Sequence, residues 1–440
     1  FMLLGIFIVR RPHLRTPWKK VFLKPSHLAS TLILLAFILV GLLDSLHFKS
    51  KEEGLERIVS VLDVLLTPAR THTETTYSKP FATHSFVKEA ATLPDGTVER
   101  LYPPLKYGGS HLKDLTQKSK DITNRFLIAS AQALLIGFML FIVLTLIVSF
   151  TTKTSFEKLA GQMLYGERPF PWKTFFSILF TVIWIYTLVR IFMPVYHIFG
   201  TSQVGEDVFY QTVKSIRTGL VIGTLTTLFM LPFAVFLGIT AGYFRGVIDD
   251  IIQYTYTTLS SIPGVLLIAA AVLSIQVMMS QHEEWFPTTL QRSDARLLAL
   301  CAILGITSWT GLCRLLRGET LKIKEIEFIQ AAKALGVSHF KILMKHLLPN
   351  VLHIILISIA LDFSGLVLAE AVLSYVGVGV DPASYSWGTM INGARLEMAR
   401  VPVVWWSLAA SFIFMFTLVL AANIFADAVR DAYDPRVTHG

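Results

Sequence analysis

Apolar residues fall along this chain in runs of roughly 20, the length a helix needs to cross a bilayer, separated by polar connectors. Eight such runs lie at about 28–46, 126–150, 174–195, 217–243, 251–280, 295–313, 350–373 and 403–427. The pattern predicts an all-α, polytopic membrane protein with about eight transmembrane helices. The first run follows a basic stretch (Arg10, Arg11, Arg15, Lys19, Lys20, Lys24), as a signal peptide would. Its apolar core is too long for one, and no small-residue cleavage site follows at Leu43-Asp44-Ser45, so it reads as a retained anchor.

The connectors differ in charge, which sets orientation. The N-terminal arm is basic, the 151–173 connector holds Lys153, Lys158, Arg168 and Lys173, and the 314–349 connector holds Arg314, Arg317, Lys322, Lys324, Lys333, Lys341 and Lys345. Connectors near 196–216, 281–294 and 374–402 are poorer in positive charge. Eight spans then place both termini and the 314–349 loop on the cytoplasmic side. Residues 47–125 fall outside, with Leu93-Pro94-Asp95-Gly96-Thr97-Val98 as a turn between short extended pieces. This segment reads equally as a small extracytoplasmic domain or a long linker.

The 314–349 loop has the most specific pattern. Gln330-Ala331-Ala332-Lys333-Ala334-Leu335-Gly336 is followed by His346-Leu347-Leu348-Pro349. Glu325 to Leu335 favours a helix, Gly336 ends it, Ser338 is placed to cap a second helix, and Pro349 to close that one. The small side chains of Ala331 and Ala332 permit close approach to a docking partner. A DNA-binding helix-turn-helix shares this local pattern. The tether to a membrane span at each end leaves no room for its third helix, so a loop docking into a groove on a partner protein is favoured.

Composition agrees: 53% of residues are hydrophobic and mean hydropathy is +0.59. A net charge of +9 then reflects topology and anionic headgroups rather than nucleic acid. No phosphate-binding loop, nucleophile elbow or metal-ligand cluster is present, so nothing marks a catalytic, cofactor-binding or metal site, and nucleotide-driven work belongs to another chain. Cys301 and Cys313 read as small packing residues.

Within the spans, Ser260-Ser261-Ile262-Pro263-Gly264 interrupts the fifth run, which marks either a bend lining a pathway or a packing kink. Asp362 lies mid-way along the seventh, as a proton or ion site or as a structural hydrogen-bond partner. Glu370 is expected near an aqueous vestibule, and Pro263, Gly264, Asp362 and Glu370 are the candidate pathway residues. Arg190 is placed to snorkel to the interface. Trp387, Trp405 and Trp406 suit the outer aromatic belt.

Those motifs, in order, resemble the inner-membrane permease subunits (C type) of bacterial dipeptide, oligopeptide and nickel ABC importers. The resemblance rests on the Gly336-centred loop with Leu348-Pro349 and on Ala241-Gly242-Tyr243-Phe244. It rests also on Leu373-Ser374 with Gly377-Val378-Gly379-Val380, on Ser386-Trp387-Gly388, and on Arg430-Asp431 with Asp434-Pro435-Arg436. Gly200-Thr201-Ser202 and Gly205-Glu206-Asp207 degrade a further motif, while Gln330 and His346 replace the family's glutamate and isoleucine.

It implies an ATP-driven, binding-protein-dependent importer for peptides or related small solutes, in the inner membrane. The implied partners are a second homologous permease, two ATPase subunits binding ATP and Mg, and an extracytoplasmic solute-binding protein. Gln330, Ala331, Ala332, Gly336, Ser338, His346, Leu348 and Pro349 would be the ATPase-coupling residues. The implied layout is an arm at 1–27, a first span at 28–46, an extracytoplasmic segment at 47–125, two additional helices at 126–195, and a permease core at 196–440 with its coupling loop at 314–349. The rival reading is an ion-coupled secondary transporter using Asp362.

Overall fold

The computed structural model describes residues 21–52, 55–92, 98–112, 114–166, 168–286 and 288–433. Residues 1–20 of the basic arm, residues 93–97 of the expected turn and the Asp434-Pro435-Arg436 ending lie outside the described residues. Eight described helices are long and apolar enough to cross a membrane, matching the eight expected runs. By contact the chain forms two compact units: one takes in residues up to Arg217 with Gly393–Ile424, the other Thr218–Asn392 with the chain from Phe425 onward.

The first unit begins with α1 (Pro25–Ser45), whose proline at the first turn costs no hydrogen bond. Two hairpins follow, β1 (His47–Glu52) with β2 (Leu55–Ser60) and β3 (Glu89–Thr92) with β4 (Val98–Leu101), each antiparallel. The β3–β4 pairing bears out the extended pieces expected around residue 95. Between the hairpins lie α2 (Val61–Leu65) and α3 (Thr67–Thr71). Ser60 and Asp63 form a reciprocal capping box at α2. Next come α4 (Lys118–Thr152), the short α5 (Phe156–Tyr165) and α6 (Trp172–Phe192). Helices α4 and α6 pack on each other, α1 packs on α6, and Arg190 is exposed in the last turn of α6.

Helix α7 (Val208–Phe244) runs from the first unit into the second. It is followed by α8 (Val247–Ser261), α9 (Gly264–Gln281) and α10 (Thr289–Ile323). The break at Ile262-Pro263 therefore separates two helices, and only α9 meets the length and hydropathy of a span. The fifth apolar run is thus a short amphipathic helix plus a span, not one interrupted span. Then come α11 (Glu327–Ala334), α12 (His339–Ile342), a π-helical turn at Leu343–Leu347 and α13 (Leu348–Val376). The chain ends with α14 (Trp387–Met398) and α15 (Trp406–Tyr433).

In the second unit α7 and α10 approach at backbone distance. A Cβ on Gly238 would sit 2.8 Å from the Cys313 carbonyl, and one on Gly242 2.7 Å from that of Arg317. Only glycine permits that spacing. Cys301 and Cys313 are fully buried and unpaired, as packing residues should be. Two tryptophans depart from expectation. Trp387 packs against Gly219 and Trp406 donates to the Thr201 carbonyl at 2.9 Å, both buried. Only Trp405 stays exposed in the manner of an interface belt.

Candidate functional site

At one end of the second unit a helix pair stands on a fixed base. The last turns of α10 carry Arg314, Arg317 and Lys322, cations that complement the carbonyl end of a helix. These ten residues from Arg314 were expected in the loop, but they remain helical because Arg317 clamps Asp249 of α8. The guanidinium gives two bonds, Nε to Oδ1 at 2.5 Å and Nη2 to Oδ2 at 2.7 Å. That clamp holds the Asp249 carboxyl below the usual carboxylate range despite its burial. Arg314 lies 5.1 Å over the ring of Tyr256, a cation–π contact.

Helix α11 starts two residues later than the expected Glu325. Its Ile329 and Ala332 face inward, and Ile329 joins a buried cluster with Ile342, Leu347, Tyr243 and Leu316. Ala332 therefore supports the helix pair rather than forming its outer surface, while Ala331 is exposed. Gly336 ends α11 as expected, with φ +76°. Val337 N–H reaches the Ala332 carbonyl and Gly336 N–H that of Lys333, each at 3.1 Å, which completes a Schellman cap.

Two expectations fail after it. Ser338 occupies the position before α12, but its side chain makes no capping bond. Packing fixes that helix instead: Ile342 is fully buried and the Tyr243 hydroxyl lies 2.7 Å from His339 Nδ1. Pro349 closes nothing; it sits in the first turn of α13, and the path from His339 to Val376 is continuously helical. A proline there has no N–H for the preceding turn, and the π-helical stretch just before it takes up the mismatch.

The remaining coupling candidates share this knuckle. Gln330 is exposed and its amide donates to the Lys324 carbonyl at 3.0 Å. His346 is half-buried, its ring 6.2 Å from Phe328, Leu348 is half-buried, and Pro349 is exposed. The sequence reading missed the most exposed groups, Leu335 at 83% and Phe340 at 71%, on either side of the Gly336 turn. Phe328 and Met344 are also open. The signal was available: large apolar residues in a connector whose inward positions were already filled by Ile329 and Ile342. Burial, reinforced by the Arg245 and Lys333 charges, draws Lys324 below the ordinary lysine range. The knuckle offers apolar contact within a basic surround.

The pathway candidates do not form one site. Pro263 and Gly264 mark an exposed helix junction. Asp362 and Glu370 lie eight residues apart on α13, about 12 Å along the axis. Asp362 is half-buried, whereas Glu370 is enclosed, taking a 2.6 Å bond from the Ser374 hydroxyl and another from Ser386. Glu370 therefore does not line a vestibule; it ties α13 to the segment that leads into α14.

The first unit holds a second polar cluster that the sequence did not signal. Glu74 accepts from the N–H groups of Lys106, Tyr107 and Gly108 at 2.8, 2.9 and 3.1 Å. His197 lies between it and Asp207, with Nε2 3.2 Å from Glu74 and Nδ1 2.7 Å from Asp207. Burial alone would raise Glu74 and lower His197. The hydrogen bonds override it, taking Glu74 down to about 2 and His197 up to about 9. Nearby, Tyr77 donates to Glu397 at 3.2 Å, and Thr201 bridges Thr76 and Ser78. The described residues 74–86 and 103–109 are thus held by packed polar contacts rather than left as an extended linker. Partners more than a hundred positions apart, as Glu74 and His197 are, leave no local pattern.

Residues 234–439 match the family described as "Binding-protein-dependent transport system inner membrane component". The dipeptide transport system permease protein of Lactococcus lactis is 31% identical over 242 residues, which cover 55% of this chain and 64% of that protein. That of Bacillus subtilis is 31% identical over 55% of this chain and 69% of its own length. The oligopeptide transport system permease protein of Haemophilus influenzae is 30% identical over 56% and 72%. About half of this chain is matched in each case.

Proposed function

The chain belongs to the family of binding-protein-dependent transport system inner membrane components, and as an ABC-importer permease rather than an enzyme; from that premise we propose that the knuckle at residues 324–349 is its docking surface for an ATPase subunit, and that peptides or related small solutes are its cargo. The observation that carries the docking reading is the exposure of Leu335 and Phe340 on a helix pair whose inner face is fixed by Ile329 and Ile342. Such an apolar knuckle in a basic surround is costly in water and needs a groove to cover it.

The implied assembly adds a second, homologous permease, two ATPases that bind ATP and Mg, and a solute-binding protein on the outer side. The cargo reading draws on relatives named for dipeptide and oligopeptide transport. The basic connectors and the even span count support both termini and the knuckle on the cytoplasmic side, with residues 47–125 outside. The half-buried Asp362 and the exposed Pro263–Gly264 junction are, separately, the candidates for lining the pathway. The layout remains an N-terminal arm, a first span, the outer domain, two added helices and the permease core.

Cysteines at Leu335 or Phe340 should crosslink to a co-expressed ATPase, and a cysteine at the buried Ala332 should not. Crosslinking from Ala332 alone, with the complex intact, would move the contact to another face.

A further inference from the structure

One short polar contact joins the knuckle to the helix bundle, and docking itself makes no use of it. We propose that the contact between Tyr243 and His339 fixes the angle of the helix pair against α7, so that motion of α11 and α12 passes to that span. Tyr243 is then a positioning residue. The inference rests on the docking reading and concerns how the docked element drives the spans.

Helices α7 and α10 are in backbone contact at Gly238 and Gly242, and the Arg317 clamp joins α8 to α10. These three elements form the fixed base. Helices α11 and α12 project from it; α12 continues through the π-helical turn into α13, and the pair is joined across to the base in three further ways. Ile329 and Ile342 are embedded in the shared core, but apolar contact is non-directional and sets no angle. Arg245 and Glu325 pair at 3.3 Å with both side chains more than half exposed, a geometry worth little. The third join is polar and part-buried, with Tyr243 enclosed and His339 at the surface: Tyr243 Oη lies 2.7 Å from His339 Nδ1, and Lys324 Nζ donates to the Tyr243 carbonyl at 3.3 Å.

The ring of Tyr243 is buried, and the rings of Tyr243 and Phe244 stand edge-on to His339, each with centroids 5.6 Å away. The imidazole is therefore held in place as well as in distance. His339 directly precedes the exposed Phe340, so a push on Phe340 reaches the last turn of α7 within one residue of the docking surface.

The test uses the full complex with co-expressed permease and ATPase partners, spin-labelled at Lys333 on α11 and Phe236 on α7. Both sites are exposed, and the buried Cys301 and Cys313 leave the label to the introduced pair. Distances are measured without nucleotide and after trapping with ATP and vanadate. The expected parent result is one narrow distance, unchanged between the two states. Tyr243→Phe keeps the ring and its burial but loses the hydroxyl. It should raise a second, detached population about fivefold, the factor one net hydrogen bond supplies, with ATPase co-purification intact. His339→Gln in the parent background, whose amide can still meet the Tyr243 hydroxyl, should keep the single distance. A narrow parent-like distance in Tyr243→Phe would overturn the linkage while leaving docking in place. Failure of the ATPases to co-purify with the parent chain would overturn docking, and the linkage with it.

Discussion

Replacing Gly336 isolates the shape of the knuckle from its chemistry. A Cβ built on Gly336 meets nothing within 4 Å, so a β-carbon there clashes with no described residue of this chain. The whole intrinsic cost comes from φ +76°. A residue with a β-carbon pays about 1–2 kcal/mol in that region, which is a factor of roughly 5–30 in the population holding the turn. The two cap bonds, to the Ala332 and Lys333 carbonyls, lie on an exposed turn where water can replace them and add little. Asparagine tolerates the left-handed region better than other residues, and a β-branched side chain tolerates it least. Uptake of a labelled dipeptide should therefore fall in the order Gly336, Gly336→Asn, Gly336→Ala, Gly336→Val. Gly336→Asp should fall below Gly336→Asn, since it adds a charge where an apolar groove must close. Membrane abundance should stay level across the series, and ATPase co-purification should follow uptake. Parent-level uptake by Gly336→Val would refute the backbone argument, and loss of Gly336→Ala from the membrane would make the glycine a folding residue.

Three further outcomes are expected. His197, lifted from 6.5 to about 9, stabilises the first unit fully below pH 6.5 and loses that contribution as pH rises through about 9; the shift corresponds to roughly 3 kcal/mol. Glu74, lowered from 4.5 to about 2, contributes above pH 4.5 and loses its contribution as pH falls through about 2. Thermal unfolding of the purified chain should thus be most resistant between those limits, and His197→Gln should flatten the alkaline slope; an unchanged slope would remove the charged-imidazole assignment. A cysteine at the exposed Ser110 should react with an impermeant thiol reagent in intact spheroplasts, whereas labelling only after lysis would reverse the topology. Uptake should survive a protonophore while cellular ATP is maintained, and its collapse would favour an ion-coupled role for Asp362.

What the sequence disclosed follows from which forces are local. Span number was legible because bilayer thickness fixes the apolar run length, and Gly336 because a glycine after a strong helix former has few other uses. The break at Pro263 was legible because proline disrupts a helix, but not that it parts a short amphipathic helix from a span. Pro349 misled because its ordinary effect on a helix was cancelled by the π-helical turn at Leu343–Leu347. Ser338 misled because tertiary packing of Ile342 fixed a helix start that a side chain did not need to cap. Trp387 and Trp406 looked like belt residues by composition, yet contacts with Gly219 and Thr201 drew them inside.

The described part of the 47–125 segment is built into the rest of the first unit. Its buried bonds do not close within residues 47–125. Glu74 shares His197 with Asp207, Ser78 N–H and Ser78 Oγ both meet Thr201 Oγ1, Tyr77 reaches Glu397, and Phe86 stands edge-on to Trp406 at 5.0 Å. Each of those partners lies in the first unit beyond residue 195, in the region assigned to the core. Removing that segment would take away the Glu74 partner of His197 Nε2, the Thr76 and Ser78 partners of Thr201 Oγ1 and the Tyr77 partner of Glu397, and an unpaired buried polar group costs more than its bond contributed. The added segment is therefore not an appendage on a self-sufficient core. The first unit has one interior, and both parts of the chain complete it.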